Sequence, residues 1–265
     1  MNDLAIRILS AQMGKTHLFS VGQAGFIMKS AAGQTLAWDL YLSECGERFE
    51  GHVGFKRLLP KLLYPEELCF DVVVTSHFHF DHFDPDSIPI LMANGHTKLL
   101  AAADCMELAG NLRLEPSKIT YVRPGDVIKT GDFSVRFVNC DHGTLAPKAV
   151  GAVITVDGRR IFFAGDTCLR LDRTEEILAE GEIDIMIAPI NGAYGNLNEH
   201  DCACLSRAIH PQLTIPCHYG MFASHGGDPG VFRRYMQEEC PDNAYLLMQM
   251  GEQFVLSEDF NHETV

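Results

Sequence analysis

The amino-acid sequence predicts an α/β fold. Short apolar runs of strand length alternate with longer segments of helical periodicity, and several of the apolar runs end in His or Asp. The pair Asp157–Gly158 separates two apolar, β-branched or aromatic runs and is typical of a two-residue hairpin turn. Open α/β folds place their functional residues at the carboxyl ends of strands. A functional site is therefore expected where these apolar runs end in His or Asp.

Half-alternating apolar runs predict the first strands, at residues 4–9, 16–21, 24–29 and 34–39. Helical periodicity predicts helices at residues 55–68, 86–94, 103–112, 172–180, 198–209 and 229–239. Asn198 and Asp228 are placed to cap the last two helices, and Pro229 fits the first turn of the final one.

The run Thr75 to Asp84, T-S-H-F-H-F-D-H-F-D, carries four residues of metal-binding type directly after an apolar stretch. In extended backbone His77 and His79 project to the same side and can bind one ion together. Asp81 and His82 are neighbours in sequence whose side chains point apart. This pair therefore suits a second ion rather than the ion bound by His77 and His79. A lone histidine is more often a hydrogen-bonded core residue, but four such residues in one short run favour a metal site.

Three later residues repeat this pattern of an apolar run that ends in a ligand type. His142 follows an alternating stretch, Asp166 ends the run that begins at Arg160, and His218 ends the run that begins at Leu213. Imidazole and carboxylate groups bind zinc, manganese or iron, and two such ions about 3.5–4 Å apart can hold a bridging hydroxide. The seven residues therefore predict two divalent metal ions, Mn²⁺ or Zn²⁺ with Fe²⁺ also compatible, and a hydrolytic nucleophile.

With these residues in place, the chain resembles the metallo-β-lactamase-fold hydrolases. The signature H-x-H-x-D-H of that family is present as His77 to His82, and the resemblance extends over nearly the whole chain. It implies a four-layer αββα sandwich, whereas periodicity alone supports only an α/β class. It also implies a first metal site of His77, His79 and His142, a second of Asp81, His82 and His218, and a bridging Asp166.

The form D-H-x-D at Asp81 to Asp84 resembles the branch that includes L-ascorbate-6-phosphate lactonase, and residues 122–128, 189–198 and 215–222 resemble it too. This resemblance implies a metal-dependent hydrolase that uses a metal-bridging hydroxide on a lactone or other ester of a small sugar-like metabolite, with or without a phosphate. Asp81 and Asp166 are its expected catalytic residues. The alternatives are phosphodiesterase or nuclease-type hydrolysis on the same fold, a di-iron redox protein, and a non-catalytic metal-binding scaffold.

Substrate contacts are predicted from loops that follow apolar runs. Tyr194, Asn196 and Asn198 lie in a loop that should overhang the metal edge, where the alternative is a turn built from Asn and Gly for their backbone tolerance. His225 is a candidate pocket residue, with an ordinary surface loop as the alternative. Asp39 is a candidate carboxylate for orienting a ligand histidine.

Arg170 and Lys148 lie in loops after predicted ligands and are candidates for binding an anionic group, although solvated surface charge is the simpler interpretation. The net charge of −14 argues against a nucleic-acid partner bound through a basic face, and a small-molecule substrate is expected instead. A homo-oligomer is left open.

Length and composition predict one domain over residues 1–265, because 46% hydrophobic content in 265 residues can fill one core. The sequence has neither a basic leader with an apolar core nor an apolar run of about 18 residues, so no membrane association is expected. The same two observations predict a cytoplasmic location. The nine cysteines are odd in number and lack C-x-x-C pairs, which predicts reduced core residues rather than a disulfide framework.

Overall fold

Two β-sheets form the centre of the molecule in the computed structural model, which describes residues 1–256. Within those residues the first sheet contains β1 (Thr16–Gly22), β2 (Gly25–Lys29), β3 (Thr35–Trp38), β4 (Val72–Thr75), β5 (Lys98–Ala102), β6 (Ile119–Val122) and β14 (Gln253–Leu256). The second contains β7 (Val127–Thr130), β8 (Phe133–Asn139), β9 (Val150–Val156), β10 (Arg159–Phe163), β11 (Ile185–Pro189), β12 (Leu213–Cys217) and β13 (Ala244–Tyr245).

Each sheet has an antiparallel half and a parallel half. The strand orders are β14-β1-β2-β3-β4-β5-β6 and β13-β12-β11-β10-β9-β8-β7. In the first sheet β3 to β6 are parallel, and in the second β10 to β13 are parallel. Because parallel strands end at the same edge of a sheet, the loops after β3, β4, β10 and β12 gather polar side chains there.

Helices cover the sheets. They are α1 (Asp3–Ser10), α2 (Cys45–Glu50), α3 (Ile88–Met92), α4 (Met106–Asn111), α5 (Thr174–Ile177), α6 (Glu199–Ile209) and α7 (Pro229–Glu239). The predictions of helices at 198–209 and 229–239 are confirmed, and Asn198 and Asp228 cap them through their side chains.

The two larger of the three hydrophobic clusters in the described residues lie on opposite faces of the second sheet. Between the sheets, the ring of Trp38 stacks on that of Phe163 with centroids 4.8 Å apart. On β9 and β10 neighbouring residues alternate, so that Ile161 faces this inner core while Phe162 packs in a second cluster with α6 and α7. This alternation gives the αββα sandwich, and the predicted fold class is confirmed. The predicted hairpin is also present, with φ of 49° at Asp157 and 78° at Gly158.

The strand predicted at residues 4–9 is wrong, since this segment is helix α1. Leu4, Ala5 and Ile8 are buried together, which is the spacing of one helix face rather than of a strand. Asn2 caps the helix by accepting a hydrogen bond from the Ala5 N–H. At the other end Nζ of the buried Lys29 donates to three carbonyl oxygens between Ile8 and Ala11, at 2.8 to 3.1 Å.

The helix predicted at residues 55–68 is also wrong, because this segment is irregular and contains two prolines, Pro60 and Pro65, that interrupt helical hydrogen bonding. It is held by contacts to distant loops instead. The Leu58 N–H donates to the carbonyl of Met221, which follows β12. These contacts bring Phe55 toward the loops at the strand ends.

The prediction of one domain over residues 1–265 stays a prediction, and its last nine residues lie outside the described part. Over residues 1–256, no helix combines the length and the apolar character that a membrane crossing would require. All nine cysteines are free thiols.

Candidate metal centre

The seven predicted ligands come together at the carboxyl ends of strands from both sheets. His77, His79, Asp81 and His82 lie in the loop after β4, and the other three follow β8, β10 and β12. Six of the seven are buried and His79 is half-buried. The Ser76 carbonyl accepts a hydrogen bond from the Val150 N–H of β9, which joins the two sheets beside the centre.

The first group consists of His77, His79 and His142, whose ring nitrogens lie within 4.8 Å of one another. His77 Nε2 is 2.8 Å from His79 Nδ1, and the His142 ring centroid is 5.1 Å from each of the other two. Burial lowers the pKa of all three, that of His142 to about 4, so the imidazoles are neutral at pH 7. Neutral imidazoles that converge on one point can bind one metal ion through their lone pairs.

The second group consists of Asp81, His82 and His218, also within 4.8 Å. His82 Nε2 lies 3.1 Å from His218 Nε2, and Asp81 Oδ2 lies 3.4 Å from His218 Nε2. Two imidazoles and a carboxylate are a second set of the ligand types that zinc, manganese and iron accept.

Asp166 lies between the two groups and presents one oxygen to each. Its Oδ1 is 3.1 Å from His218 Nε2 and 3.4 Å from His82 Nε2, and its Oδ2 is 3.9 Å from His142 Nε2. Within the described residues Asp166 Oδ1 is buried without a hydrogen bond of normal geometry. A carboxylate placed in this way fits a bridge between two ions.

Charge balance in the second group supports the same interpretation. Burial acts to lower the pKa of His218, but Asp166 and Asp81 outweigh it and raise that pKa to about 9. Burial likewise acts to raise the pKa of Asp166, and His218 and His82 outweigh it and lower that pKa. Protonated imidazoles therefore compensate the buried carboxylates, which is the electrostatic role that divalent cations would take over.

A buried carboxylate orients one ligand histidine. The His82 Nδ1–H donates to Asp39 Oδ2 at 2.8 Å, while the hydroxyl and the N–H of Ser76 donate to the same carboxylate at 2.6 and 2.7 Å. Asp39 is fully buried and its φ is 44°, an uncommon conformation for a non-glycine residue. This network leaves His82 Nε2 facing the centre.

Substitution of Asp39 with asparagine should weaken metal binding by about 10- to 100-fold, because a carboxylate that orients a ligand imidazole is replaced by a neutral amide. Isothermal titration of metal-free protein with Zn²⁺ or Mn²⁺ measures the effect. The matched control is Asp71→Asn, which alters a carboxylate that accepts from His96 at 2.9 Å away from the centre. Equal affinities in the two variants would contradict the role given to Asp39.

The second aspartate of the D-H-x-D form is structural. Asp84 is fully buried and accepts hydrogen bonds from the N–H groups of Leu42 and Ser43 at 2.9 and 2.8 Å. It also accepts from the Ser87 hydroxyl at 2.7 Å. Asp84 therefore anchors the ligand loop to the segment after β3 rather than joining the cluster.

Sequence reasoning missed Gln23, which lies in the turn between β1 and β2. Its Nε2 donates to Asp81 Oδ2 at 2.7 Å and lies 3.2 Å from His218 Nε2. The backbone carbonyl of Gln23 accepts a hydrogen bond from the backbone N–H of His218 at 2.8 Å. Gln23 and His218 both have positive φ, 55° and 64°, so the backbone on both sides of this contact is held in an uncommon conformation. The turn carries no local sequence signal for this role.

An aromatic triad, Phe55, Tyr194 and His225, lies next to the second group. The His225 ring stacks on that of His218 with centroids 4.8 Å apart. Phe55 is 5.4 Å from His225 and 5.6 Å from Tyr194, and Tyr194 is 5.6 Å from His225. The structure thus places Tyr194 and His225 beside the centre and adds Phe55, which the sequence did not suggest.

The loop before α6 contains two buried amides. Asn191 and Asn196 are buried, and neither their amide nitrogens nor their amide oxygens have a partner within residues 1–256. The Leu197 N–H donates to the Thr167 carbonyl at 2.8 Å, which holds this loop beside Asp166. Asn198, by contrast, uses its side chain in a capping box with Asp201 at the start of α6.

A groove of about 730 Å³ borders the ligand loop at Phe78 and is also lined by Met106, Pro147, Asp104 and Lys148 among others. Phe78 lies between the first two ligand histidines in sequence. Lys148 therefore faces a cavity, whereas the Arg170 guanidinium pairs with Asp141 and with Asp172.

Comparison with known sequences gives matches over most of the chain. Residues 17–218 match the family model of the "Beta-lactamase superfamily domain". A "UPF0173 metal-dependent hydrolase" of Anaeromyxobacter dehalogenans (strain 2CP-C) is 30% identical over 237 residues, which cover 84% of this chain and 81% of the relative.

Solved structures share the fold at low identity. Igni18, described as a novel metallo hydrolase from Ignicoccus hospitalis, superposes with a TM-score of 0.71 at 21% identity and covers 92% of this chain and 100% of its own. An isothiocyanate hydrolase from Delia radicum gut bacteria superposes with a TM-score of 0.70 at 18% identity, covering 91% and 99%. At these identities the likeness concerns the fold.

Proposed function

This chain belongs to the β-lactamase superfamily and, within it, to the UPF0173 metal-dependent hydrolases, and we propose that it cleaves a lactone or another ester of a small metabolite. The position of Asp166 is the observation that carries the hydrolytic site, because its two oxygens face two separate groups of ligand-type residues. The ester class is supported by the D-H-x-D resemblance to the lactonase branch.

One metal ion would be bound by His77, His79 and His142. A second ion would be bound by Asp81, His82 and His218, and Asp166 would bind both ions. Divalent ions such as Mn²⁺ or Zn²⁺ lower the pKa of bound water to about 7 and polarise carbonyl oxygens. Asp39 and Ser76 keep the His82 ring oriented, and Gln23 fixes the Asp81 carboxylate through a 2.7 Å hydrogen bond. Asp81 and Asp166 are proposed as the groups whose carboxylate oxygens would accept the proton that the attacking water loses and pass it to the alkoxide released from the ester.

The surroundings of the centre suggest which substrate it accepts. The aromatic triad, in which Tyr194 is 46% exposed, offers a surface for the non-polar face of a ring. A phosphate on the substrate would find Lys148 in the adjacent groove. A net charge of −14 disfavours a polyanionic substrate.

Substitution of Phe55 with alanine should raise KM about tenfold with little change in kcat, since the triad contacts the substrate away from the reacting bond. Phe49→Ala is the matched control. Phe49 is 48% exposed, and its ring contacts Phe80, which is not a member of the triad. Steady-state kinetics on the best ester substrate measure both variants. A fall in kcat with unchanged KM in Phe55→Ala would show that the triad does not act as a binding surface.

The proposed reaction is tested by reconstituting metal-free protein separately with Mn²⁺, Zn²⁺ and Fe²⁺. Each form is assayed on sugar-phosphate lactones, acyl-homoserine lactones, an aryl isothiocyanate and aryl phosphodiesters. We expect turnover of at least one lactone and none of the phosphodiesters. Turnover of the phosphodiesters alone would replace the ester proposal with the phosphodiesterase alternative, and no turnover with any metal would favour a binding role.

We also propose that the protein acts as one domain in the cytoplasm. Nine free cysteines support a reducing compartment, where thiols persist without pairing.

A further inference from the structure

A second cluster of metal-ligand types lies on the outer helical layer. His200 and Cys204 are four residues apart on α6 and so share one face of the helix, and Glu239 is the last residue of α7. Their ligand atoms all lie within 4.8 Å of one another. None of the three belongs to the candidate metal centre, and this cluster contains a thiol, whereas the centre is built from imidazoles and carboxylates.

The separations match those of ligands around a single ion. Cys204 Sγ lies 3.6 Å from His200 Nε2 and 3.9 Å from Glu239 Oε2, and His200 Nε2 lies 3.0 Å from Glu239 Oε1. Around a tetrahedral zinc ion, a thiolate at about 2.3 Å and a nitrogen or oxygen at about 2.1 Å are about 3.6 Å apart, and nitrogen and oxygen ligands are about 3.4 Å apart. Small side-chain adjustments would therefore bring all three onto one ion.

The cluster is held in place by its surroundings. The Tyr235 ring of α7 packs edge-on against the His200 imidazole with centroids 5.0 Å apart, which fixes the direction of Nε2. Cys204 is 8% exposed, and the nearby Cys240 thiol donates to the Ala203 carbonyl at 3.1 Å, so the two helices are already in contact. His200 is half exposed, which leaves one side open for a water ligand.

A positive charge already sits beside the cluster. Arg207 Nη1 lies 3.3 Å from Glu239 Oε2, and its Nη2 lies 4.0 Å from Cys204 Sγ. The Arg207 side chain is 56% exposed, so it can turn toward solvent when another cation binds. The site thus attracts cations, and Arg207 competes with them.

We propose that His200, Cys204 and Glu239 form a zinc site, with water as the fourth ligand, that ties the start of α6 to the end of α7. The thiolate selects zinc over manganese, magnesium or calcium. The bound ion stabilises the helix that begins directly after the loop of Asn191 to Asn198. This role is independent of the reaction at the candidate metal centre.

Cobalt substitution tests the site, because a thiolate bound to Co²⁺ gives a charge-transfer absorption in the near ultraviolet and imidazoles and carboxylates do not. We expect this band in the wild-type protein titrated with Co²⁺ and its absence in Cys204→Ser. Two matched variants should keep the band: Cys69→Ser, which changes an exposed thiol, and Cys140→Ser, which changes the thiol that donates to the Asp166 carbonyl at 2.9 Å.

Zinc binding gives a second measurement. Glu239→Gln should weaken zinc binding at this site by about 100-fold, since one of three protein ligands loses its charge, while Arg207→Ala should tighten it. Circular dichroism establishes that each variant is folded. Absence of the thiolate band in the wild-type protein, or a band that survives Cys204→Ser, would overturn the zinc-site proposal. A wild-type protein that shows the band but hydrolyses no ester would overturn only the proposed function.

Discussion

Replacement of Asp166 with asparagine should reduce metal-dependent hydrolysis by about a thousandfold or more, because the bridge between the two groups of ligands is lost and several kcal/mol of electrostatic stabilisation go with it. The two Asp166 oxygens face His218 at 3.1 Å and His142 at 3.9 Å, so an amide cannot serve both groups as an anion. The measurements are kcat/KM on the best ester substrate and metal content by mass spectrometry. We expect fewer than two ions per chain in the variant.

The fold should survive this substitution, since the amide has nearly the same volume as the carboxylate. Asp172→Asn is the control: its carboxylate is 64% exposed and pairs with Arg170 on the surface, so activity and metal content should be unchanged. Circular dichroism spectra of all three proteins should coincide. Retained activity in Asp166→Asn with a full complement of metal would remove this residue from the bridging position.

Removal of metal with a chelator should abolish hydrolysis and lower Tm by about 10 °C, since an ion present at 1,000 times its Kd stabilises the folded state by about 4 kcal/mol. Without cations, the buried carboxylates of Asp81 and Asp166 depend on protonated His82 and His218 for charge balance. Differential scanning calorimetry before and after dialysis against chelator measures the shift. Addition of Mn²⁺ or Zn²⁺ should restore both Tm and activity.

Asp166→Asn and Cys204→Ser together separate the contributions of the two sites to this shift. The Asp166 variant should lose most of the Tm response to chelator, whereas the Cys204 variant should lose only the part due to zinc between α6 and α7. Full hydrolysis by protein from which metal has been stripped would contradict a metal-dependent reaction.

Local sequence pattern accounts for the proximity of the proposed ligands better than for several of the elements around them. His77, His142, Asp166 and His218 each follow an apolar or alternating run, and strand ends converge at one edge in this class of fold, so their proximity follows from local pattern and fold class together. The last two helices were predictable because Asn198 and Asp228 are strong caps.

The wrong strand prediction at residues 4–9 and the residues that sequence reasoning missed have other causes. Residues 4–9 are short and mostly apolar, so strand and helix patterns compete there, and burial of one helix face decides the outcome. Gln23 and Phe55 come from two separate loops, and their roles arise from tertiary contacts that no local pattern encodes. Asn198 was a candidate for substrate binding and also a predicted cap, and the structure uses it as a cap.

Anomalous diffraction from crystals of the metal-loaded protein tests the central claim most directly, because it locates each bound ion and identifies its element. We predict two ions about 3.5–4 Å apart. One should be bound by His77, His79 and His142, the other by Asp81, His82 and His218, with Asp166 contacting both. Ions bound elsewhere in protein saturated with metal, or a single ion that does not contact Asp166, would contradict it.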